Sequence, residues 1–154
     1  MQRVIFLSIG RMKTSWIAEG CRQFTSRLAR VIDFTTVEIP ASRNFDPLKQ
    51  VQEESAAILE KLERLKGDIW LLDVRGKEMS SETFAKAVEV AKDAGRTMIF
   101  ILGGAYGVSD AVRASADTVL RLSPMTFPHE FCCLVFLEQL YRATEIQRNS
   151  GYHH

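Results

Sequence analysis

The sequence predicts an α/β fold, a mostly parallel sheet of five to six strands flanked by helices. Short strand-like runs alternate with longer helix-like runs, which is the pattern of parallel strands joined by crossover helices. One run, Met98-Ile99-Phe100-Ile101-Leu102, is apolar at every position, as a strand covered on both faces should be. At 154 residues, 46% of them hydrophobic, the chain predicts a single domain spanning residues 1–154.

Five short runs have the character of strands. They lie at residues 3–9, 35–39, 68–74, 97–102 and 118–122. The first could be mistaken for the apolar region of a signal peptide, but it is too short and lacks a cleavage site. No apolar run approaches the roughly 20 residues that span a bilayer. We therefore expect a cytoplasmic protein with no membrane partner.

Four helices are predicted between these strands. The first two, at residues 15–30 and 47–66, are amphipathic and should flank the sheet. Ser80 or Ser81 can cap a third helix that ends near Gly95, and Ser109 can cap a short fourth one. The apolar faces of the first two helices comprise Ile17, Cys21, Phe24 and Leu28, and Leu48, Val51, Ile58, Leu62 and Leu65, respectively.

A final helix, at residues 130–148, opens with seven apolar residues that cover its whole circumference. Such a helix must be buried on all sides. In a domain this small the sheet alone is a poor cover for its outer side, so the pattern favours a self-complementary dimer contact, with burial inside one chain as the alternative. Farther along, Glu138 and Arg142 are spaced i,i+4, which is typical of a surface ion pair.

Two loops at predicted strand ends form a candidate small-molecule site. The turn Gly103-Gly104-Ala105-Tyr106-Gly107 lacks the spacing of both dinucleotide and P-loop motifs, so neither NAD nor ATP is supported. The loop at residues 122–129 is bracketed by Pro124 and Pro128, which fix φ and remove two donors. The backbone groups of the arc between them can read a flat heterocycle such as adenine. In parallel α/β sheets, ligands bind outside the carboxyl ends of the strands, which is where these two loops begin.

Charge and cysteine content narrow the function classes. The net charge of +1 argues against nonspecific nucleic-acid binding through a large positive field, so any RNA must be recognised locally. Basic residues gather after the first strand, along the first helix and after another strand, and they are either RNA contacts or solvated residues. They are Arg11 and Lys13; Arg22, Arg27 and Arg30; and Arg75 and Lys77. The odd count of cysteines, without metal-type spacing, predicts reduced core thiols and no metal site; they are Cys21, Cys132 and Cys133.

Four ordered motifs carry a family resemblance over nearly the whole chain. They are the run at residues 102–109, the loop at 122–129, the segment Glu138-Gln139-Leu140-Tyr141-Arg142-Ala143 and the terminal Tyr152-His153. Together they resemble the small SPOUT-class methyltransferases that methylate N3 of a pseudouridine in 23S ribosomal RNA, the large-subunit RNA. Gly10, Trp16, Gly20 and Leu72-Asp73-x-x-Gly76-Lys77 also fall where that family has similar residues.

The resemblance implies a C-terminal deep trefoil knot, an exception to the rule that chains avoid knots. It implies that the knot holds S-adenosyl-L-methionine, largely through backbone groups. It also implies a homodimer whose active site uses both subunits and whose substrate is 23S rRNA, which we expect to be read within the assembled ribosome. The residues expected to bind or shape the cofactor site are Leu72, Gly103, Gly104, Gly107, Leu122, Ser123, Pro124, Met125, Thr126 and Phe127.

The resemblance also points to catalytic residues. His129, Tyr152 and His153 are the candidates for contacting the base or removing the N3 proton, and a histidine suits that task near neutral pH. Arg142 is expected to contact phosphate or orient the site. The alternative for His129 is a helix-start residue satisfied locally. Two departures from the family are Cys133 in place of an arginine and Gly151 in place of a proline, and the second predicts a looser terminal pair.

Other functions stay open at this point. One is a SPOUT methyltransferase acting on another RNA such as tRNA, and another is a knotted RNA-binding protein without catalysis; a nicotinamide enzyme is more distant. The presence of all four candidate catalytic residues favours an enzyme. The small size, with no appended RNA-binding domain, favours a preassembled target such as the ribosome, whose shape supplies specificity.

Overall fold

The computed structural model describes every residue, Met1–His154. Five strands alternate with five helices, as the sequence pattern predicts. The strands are β1 (Arg3–Ile9), β2 (Asp33–Ile39), β3 (Asp68–Lys77), β4 (Met98–Leu102) and β5 (Thr118–Leu120). The helices are α1 (Ser15–Leu28), α2 (Pro47–Glu63), α3 (Ser81–Asp93), α4 (Asp110–Ser115) and α5 (His129–Arg148).

The strands form one sheet in the order β2-β1-β4-β3-β5, and every neighbouring pair is parallel. The prediction of a parallel α/β sheet is therefore confirmed, with five strands. Because all strands run the same way, their carboxyl ends lie along one edge, which we call the carboxyl edge. The knotted path and the single-domain organisation stay predictions.

The predicted bounds differ from the observed ones by a few residues. Strand β2 begins earlier, at Asp33, because that residue pairs with Arg3 of β1. Strand β3 continues to Lys77, which pairs with Leu120 beyond an irregularity in the register. Both extensions depend on a neighbouring strand, so the local sequence does not reveal them.

Two apolar layers cover the sheet. Alternate residues of β1 face opposite sides, so Val4 and Phe6 join α1, α3 and α5, whereas Ile5 and Leu7 join α2 and α4. All of β4 is buried, as its uniform apolar sequence predicts. The ring centroids of Phe100 on β4 and Phe136 on α5 are 4.8 Å apart, which places α5 over the centre of the sheet.

The predicted helix faces are largely buried, with one error. Leu48 is 74% exposed because it lies in the first turn of α2, away from the buried residues Ile58 and Leu62 farther along the helix. In α5, Cys133, Phe136 and Leu137 are buried, but four apolar neighbours stay partly exposed: Phe131, Cys132, Leu134 and Val135. One chain alone does not bury α5 on all sides. None of the helices has the length and apolar character that crossing a bilayer requires.

Candidate active site

A cleft of about 380 Å³ opens at the carboxyl edge of β4, β3 and β5. The glycine turn after β4 and the loop after β5 form two of its walls, so the two loops predicted from sequence meet at one site. Of the expected cofactor residues, Pro124 alone does not line the cleft. Those that do are Leu72, Gly103, Gly104, Gly107, Leu122, Ser123, Met125, Thr126 and Phe127.

Glycine is required at two positions of the turn, Gly103 and Gly107. Gly107 has a φ of +82°, a conformation that L side chains rarely adopt. Its amide donates to the carbonyl of Gly104 at 3.0 Å, which closes the turn. A Cβ at Gly103 would lie 2.6 Å from Cγ1 of Val108. The turn therefore presents bare backbone to the cleft, as close approach to a ligand requires.

Two polar residues of α2, Glu54 and Ser55, contact the glycine turn and the residues that follow it. Glu54 is buried, and its Oε1 lies 2.3 Å from the position that a Cβ of Gly104 would occupy. The Ser55 hydroxyl accepts a 2.9 Å hydrogen bond from the amide of Ser109. We did not predict this support from the sequence. The sequence pattern that indicates this burial is the spacing of both residues, one helical turn before Ile58, which places them on the buried face of α2.

A largely buried ion pair crosses the cleft between β3 and α4. Arg113 Nε donates to Asp73 Oδ2 at 2.8 Å, with side-chain exposures of 20% and 10%. A second nitrogen of Arg113 donates to the carbonyl of Val108 at 3.3 Å, which ties the glycine turn to β3. Arg121 also lines the cleft, and its Nε is buried without a hydrogen-bond partner. Local sequence patterns do not indicate these contacts, because the residues that form them are brought together by the order of the strands in the sheet.

His129 lies at the first position of α5 and lines the cleft. Its Nε2 is 3.0 Å from the carbonyl oxygen of Ile9, at the end of β1. A carbonyl oxygen accepts, so Nε2 carries a proton in this contact. In the neutral ring, Nδ1 is then the atom that can take up a proton. The alternative for His129 is a residue whose hydrogen bonds are made by its surroundings. The contact with Ile9 accounts for only one of its two ring nitrogens.

The other three predicted catalytic residues form a separate group, which we call the tail cluster. Arg142 Nη2 donates to Glu138 Oε1 at 2.6 Å, and the Tyr152 hydroxyl donates to the same oxygen at 3.0 Å. His153 lies between Arg142, 3.1 Å from its Nη1, and Glu82 of α3, 2.7 Å away. The predicted Glu138–Arg142 pair is present, and it is mostly buried rather than on the surface.

The environment of the tail cluster raises the pKa of two of its members, Tyr152 and Arg142. Burial, with the charge of Glu138, raises the pKa of Tyr152 above its ordinary value. The hydrogen bond to Glu138 raises the pKa of Arg142 as well. At neutral pH Tyr152 is thus a hydrogen-bond donor, which makes it a poor candidate for removing a proton.

The prediction of a loose terminal pair is wrong, because Tyr152 contacts α5 and His153 contacts α3. Gly151 has a φ of +83°, which turns the chain back toward α5. The ring of Tyr152 then contacts that of Tyr141, with centroids 5.1 Å apart, and the guanidinium of Arg142 lies 4.9 Å from the Tyr152 centroid. A proline, whose φ is near −65°, could not adopt this turn.

One chain does not bring the four predicted catalytic residues together. His129 and Arg142 are both on α5, thirteen positions apart, which corresponds to about 20 Å along the helix axis. His129 therefore belongs to the cleft, whereas Arg142, Tyr152 and His153 belong to the tail cluster.

The cysteines lie in the interior or partly buried, without disulfides. The sulfurs of Cys133 and Cys21 are 4.0 Å apart, and this contact together with burial raises the pKa of Cys133 far above its ordinary value. The thiol of Cys133 is buried, so it makes no contact with a molecule bound at the surface. No group of three or more histidine, cysteine, aspartate or glutamate residues is placed to hold a metal ion.

Comparisons with known proteins agree on one family. A family model described as a predicted SPOUT methyltransferase matches residues 1–153. The chain is 38% identical over 152 residues to the ribosomal RNA large subunit methyltransferase H of Cytophaga hutchinsonii, covering 96% of each chain. It is 35% identical over 149 residues to the protein of that name from Fusobacterium nucleatum, again covering 96% of each.

Solved structures share the fold at low sequence identity. A probable methyltransferase from Bordetella pertussis Tohama I superposes with a TM-score of 0.62 at 14% identity, covering 93% of this chain and 95% of that one. A probable methylase family protein from Haemophilus influenzae Rd KW20 gives a TM-score of 0.62 at 11% identity, covering 99% and 71%.

Proposed function

The chain belongs to the SPOUT methyltransferase family, and we propose that it transfers a methyl group from S-adenosyl-L-methionine to N3 of a pseudouridine in 23S ribosomal RNA. The observation that carries the proposal is the cleft at the carboxyl edge, where the glycine turn, the proline-bracketed loop and His129 meet. The relatives that match over nearly their full length are named for methylation of large-subunit ribosomal RNA.

The residues of the cleft fit S-adenosyl-L-methionine. Its size lies within the range of small-molecule sites, at about 380 Å³. The glycine turn offers backbone that a side chain would block, and the buried, unpaired Nε of Arg121 is a donor that a polar ligand atom can satisfy. The residues that would hold the cofactor are Leu72, Gly103, Gly104, Gly107, Leu122, Ser123, Met125, Thr126 and Phe127. Pro124, which does not line the cleft, would act only by fixing the backbone of the loop.

The bound cofactor supplies an activated methyl group on a sulfonium sulfur. The chain must place N3 of the base in line with it and remove the N3 proton. His129 is the residue for that step, because it lines the cleft and its Nε2 is occupied by the carbonyl of Ile9. Nδ1 is thereby left as the acceptor. Arg142 donates hydrogen bonds that orient the base or its phosphate, and Tyr152 and His153, which are hydrogen-bonded within the tail cluster, position it.

We propose further that the active enzyme is a homodimer in which each cleft is completed by the tail cluster of the other subunit. Two observations support this: the roughly 20 Å between His129 and Arg142 along α5, and the partly exposed apolar residues on the same helix. A second copy covering that surface would bury it. The proposed substrate is the assembled ribosome, and the proposed location is the cytoplasm.

Labelled methyl transfer tests this function. Purified protein and labelled S-adenosyl-L-methionine are incubated with intact ribosomes lacking the modification, with free 23S rRNA and with bulk tRNA. We expect label in ribosomes above that in free RNA. Label in tRNA alone would replace the proposal with a tRNA methyltransferase. Cofactor binding by calorimetry with no label in any RNA would leave a non-catalytic RNA-binding protein.

A further inference from the structure

The part of the carboxyl edge formed by β2 and β1 does not line the cleft. In the strand order β2-β1-β4-β3-β5, the cleft lies over the last three strands, so the ends of β2 and β1 lie beside it. The chain leaves these two strands through residues 10–13 and 41–45, which we call the basic rim. The two segments touch, because the Gly10 amide donates to the Ile39 carbonyl at 2.8 Å and a Cβ at Gly10 would lie 3.6 Å from that of Ala41.

The rim carries three exposed cations, Arg11, Lys13 and Arg43. None of them takes part in an ion pair. The neighbouring carboxylates accept hydrogen bonds from backbone amides and a hydroxyl group and form no ion pair with these cations. Glu130 accepts from the amides of Lys13 and Thr14, Asp46 caps α2, and Glu53 accepts from the Ser42 hydroxyl. The cations are therefore free to meet an external anion.

The second segment of the rim is held in one conformation by its inward-facing side chains. The Ser42 hydroxyl accepts from the Asn44 amide at 3.1 Å, and the Asn44 side chain accepts from the Asp46 amide at 3.1 Å. Alternate residues point the other way, so Arg43 and Phe45 face solvent. Phe45 is 98% exposed on this fixed loop. An exposed aromatic ring on the same segment as an exposed cation is the combination that binds unpaired nucleotides, through base stacking and phosphate contacts.

Two contacts join the rim to the cleft. The buried carboxylate of Glu54 accepts a 2.9 Å hydrogen bond from the Ser42 amide of the rim, while its other oxygen lies against Gly104 of the cleft. His129 lines the cleft and contacts Ile9, the residue before the first rim segment. An RNA strand lying on the rim would thus reach the cleft directly at His129.

We propose that the basic rim is the docking surface for the single-stranded RNA next to the target nucleotide. Arg11, Lys13 and Arg43 contact its phosphates, and Phe45 stacks on one unpaired base. This inference rests on the proposed function and adds the surface of this chain that receives the substrate. The near-zero net charge agrees with it, because a local group of cations serves where a general positive field is absent.

The test compares two triple variants with equal loss of charge. R11Q/K13Q/R43Q alters the rim, and R30Q/R64Q/K66Q removes three exposed cations near the amino ends of β2 and β3, at the opposite edge. Binding to unmodified ribosomes is measured against salt concentration, together with the KM of methyl transfer and the calorimetric affinity for S-adenosyl-L-methionine. F45A and F45W test stacking.

We expect the rim variant to raise the KM for ribosomes by about tenfold or more and to lower the slope of log K against log salt by about 2 to 3. Cofactor affinity should stay unchanged. F45A should weaken binding by about tenfold, and F45W should retain it. The control variant should match the wild type. A rim variant with wild-type KM and salt slope, or a control that loses as much, would overturn the proposal.

The binding measurement also separates this inference from the proposed function. If the wild-type protein transferred no methyl group to ribosomes, the proposed function would fall. The salt-dependent binding of the two triple variants would still decide whether the rim holds RNA. If methyl transfer occurred and the rim variant behaved as the wild type, the rim proposal alone would fall.

Discussion

The hydroxyl group of Tyr152 donates a 3.0 Å hydrogen bond to the carboxylate of Glu138, two residues that lie beyond and within α5. The same carboxylate oxygen binds Arg142, whose guanidinium lies over the Tyr152 ring. Glu138 thus anchors the last residues of the chain to the helix. Within the tail cluster, the positions of Arg142 and Tyr152 relative to each other depend on this carboxylate.

Replacing Glu138 by glutamine should lower the free energy of unfolding by about 1 to 2 kcal/mol, because it removes the charge from a mostly buried ion pair. The matched control is Glu89→Gln, which breaks the exposed pair with Lys86 and should leave the free energy of unfolding almost unchanged. Urea denaturation measures both. Equal effects of the two variants would show that Glu138 does not anchor the tail.

Mixed dimers test whether the cleft and the tail cluster act across the subunit interface. His129→Ala and Arg142→Ala should each lower kcat by about a hundredfold or more while cofactor affinity holds. After unfolding and refolding together, half of the dimers carry one of each, and one of their two sites is intact. Activity should then recover to about one quarter of the wild-type value. No recovery would place both residues in the same subunit's site.

The contact between Glu54 and Gly104 predicts that a second substitution can restore part of the stability and cofactor affinity lost by a first one. Gly104→Ala should lower both stability and cofactor affinity, because its Cβ would lie 2.3 Å from Oε1 of Glu54. Glu54→Asp withdraws that carboxylate by one methylene, so the double variant should regain part of the loss, with a coupling of about 1 kcal/mol or more. Calorimetric titration with S-adenosyl-L-methionine and urea denaturation measure the cycle. Additive effects would contradict the contact.

The sequence predicted the regular elements well and the supporting contacts poorly. Strand β4 could be identified because it is apolar throughout, and the glycine and proline loops because each follows a strand. The ion pair of Asp73 and Arg113, and the placement of Glu54 under Gly104, join residues forty or more positions apart. Such contacts depend on strand order, which local patterns do not specify.

Low pH should weaken the hydrogen bonds between Glu130, at the start of α5, and the residues that precede α1. Hydrogen bonds from Thr14 and the Lys13 amide lower the pKa of Glu130 below its ordinary 4.5. A lowered pKa means that the contribution to stability is complete above that value and is lost as pH falls through the folded-state pKa.

The difference in unfolding free energy between wild type and Glu130→Gln should therefore be constant above about pH 5.5 and should shrink as the pH drops below 4.5. Urea denaturation at stepped pH measures it. A difference that grew in acid would show that Glu130 is not stabilised as a carboxylate in the folded protein.

The nature of the methylated nucleoside tests the central claim most directly. Ribosomes lacking the modification are treated with the protein and S-adenosyl-L-methionine, and their 23S rRNA is digested and separated by nucleoside mass spectrometry, with His129→Ala as the control. We predict that N3-methylpseudouridine appears with the wild-type protein and is greatly reduced with the variant. A methylated nucleoside of any other kind, or no methylated product, would contradict the claim.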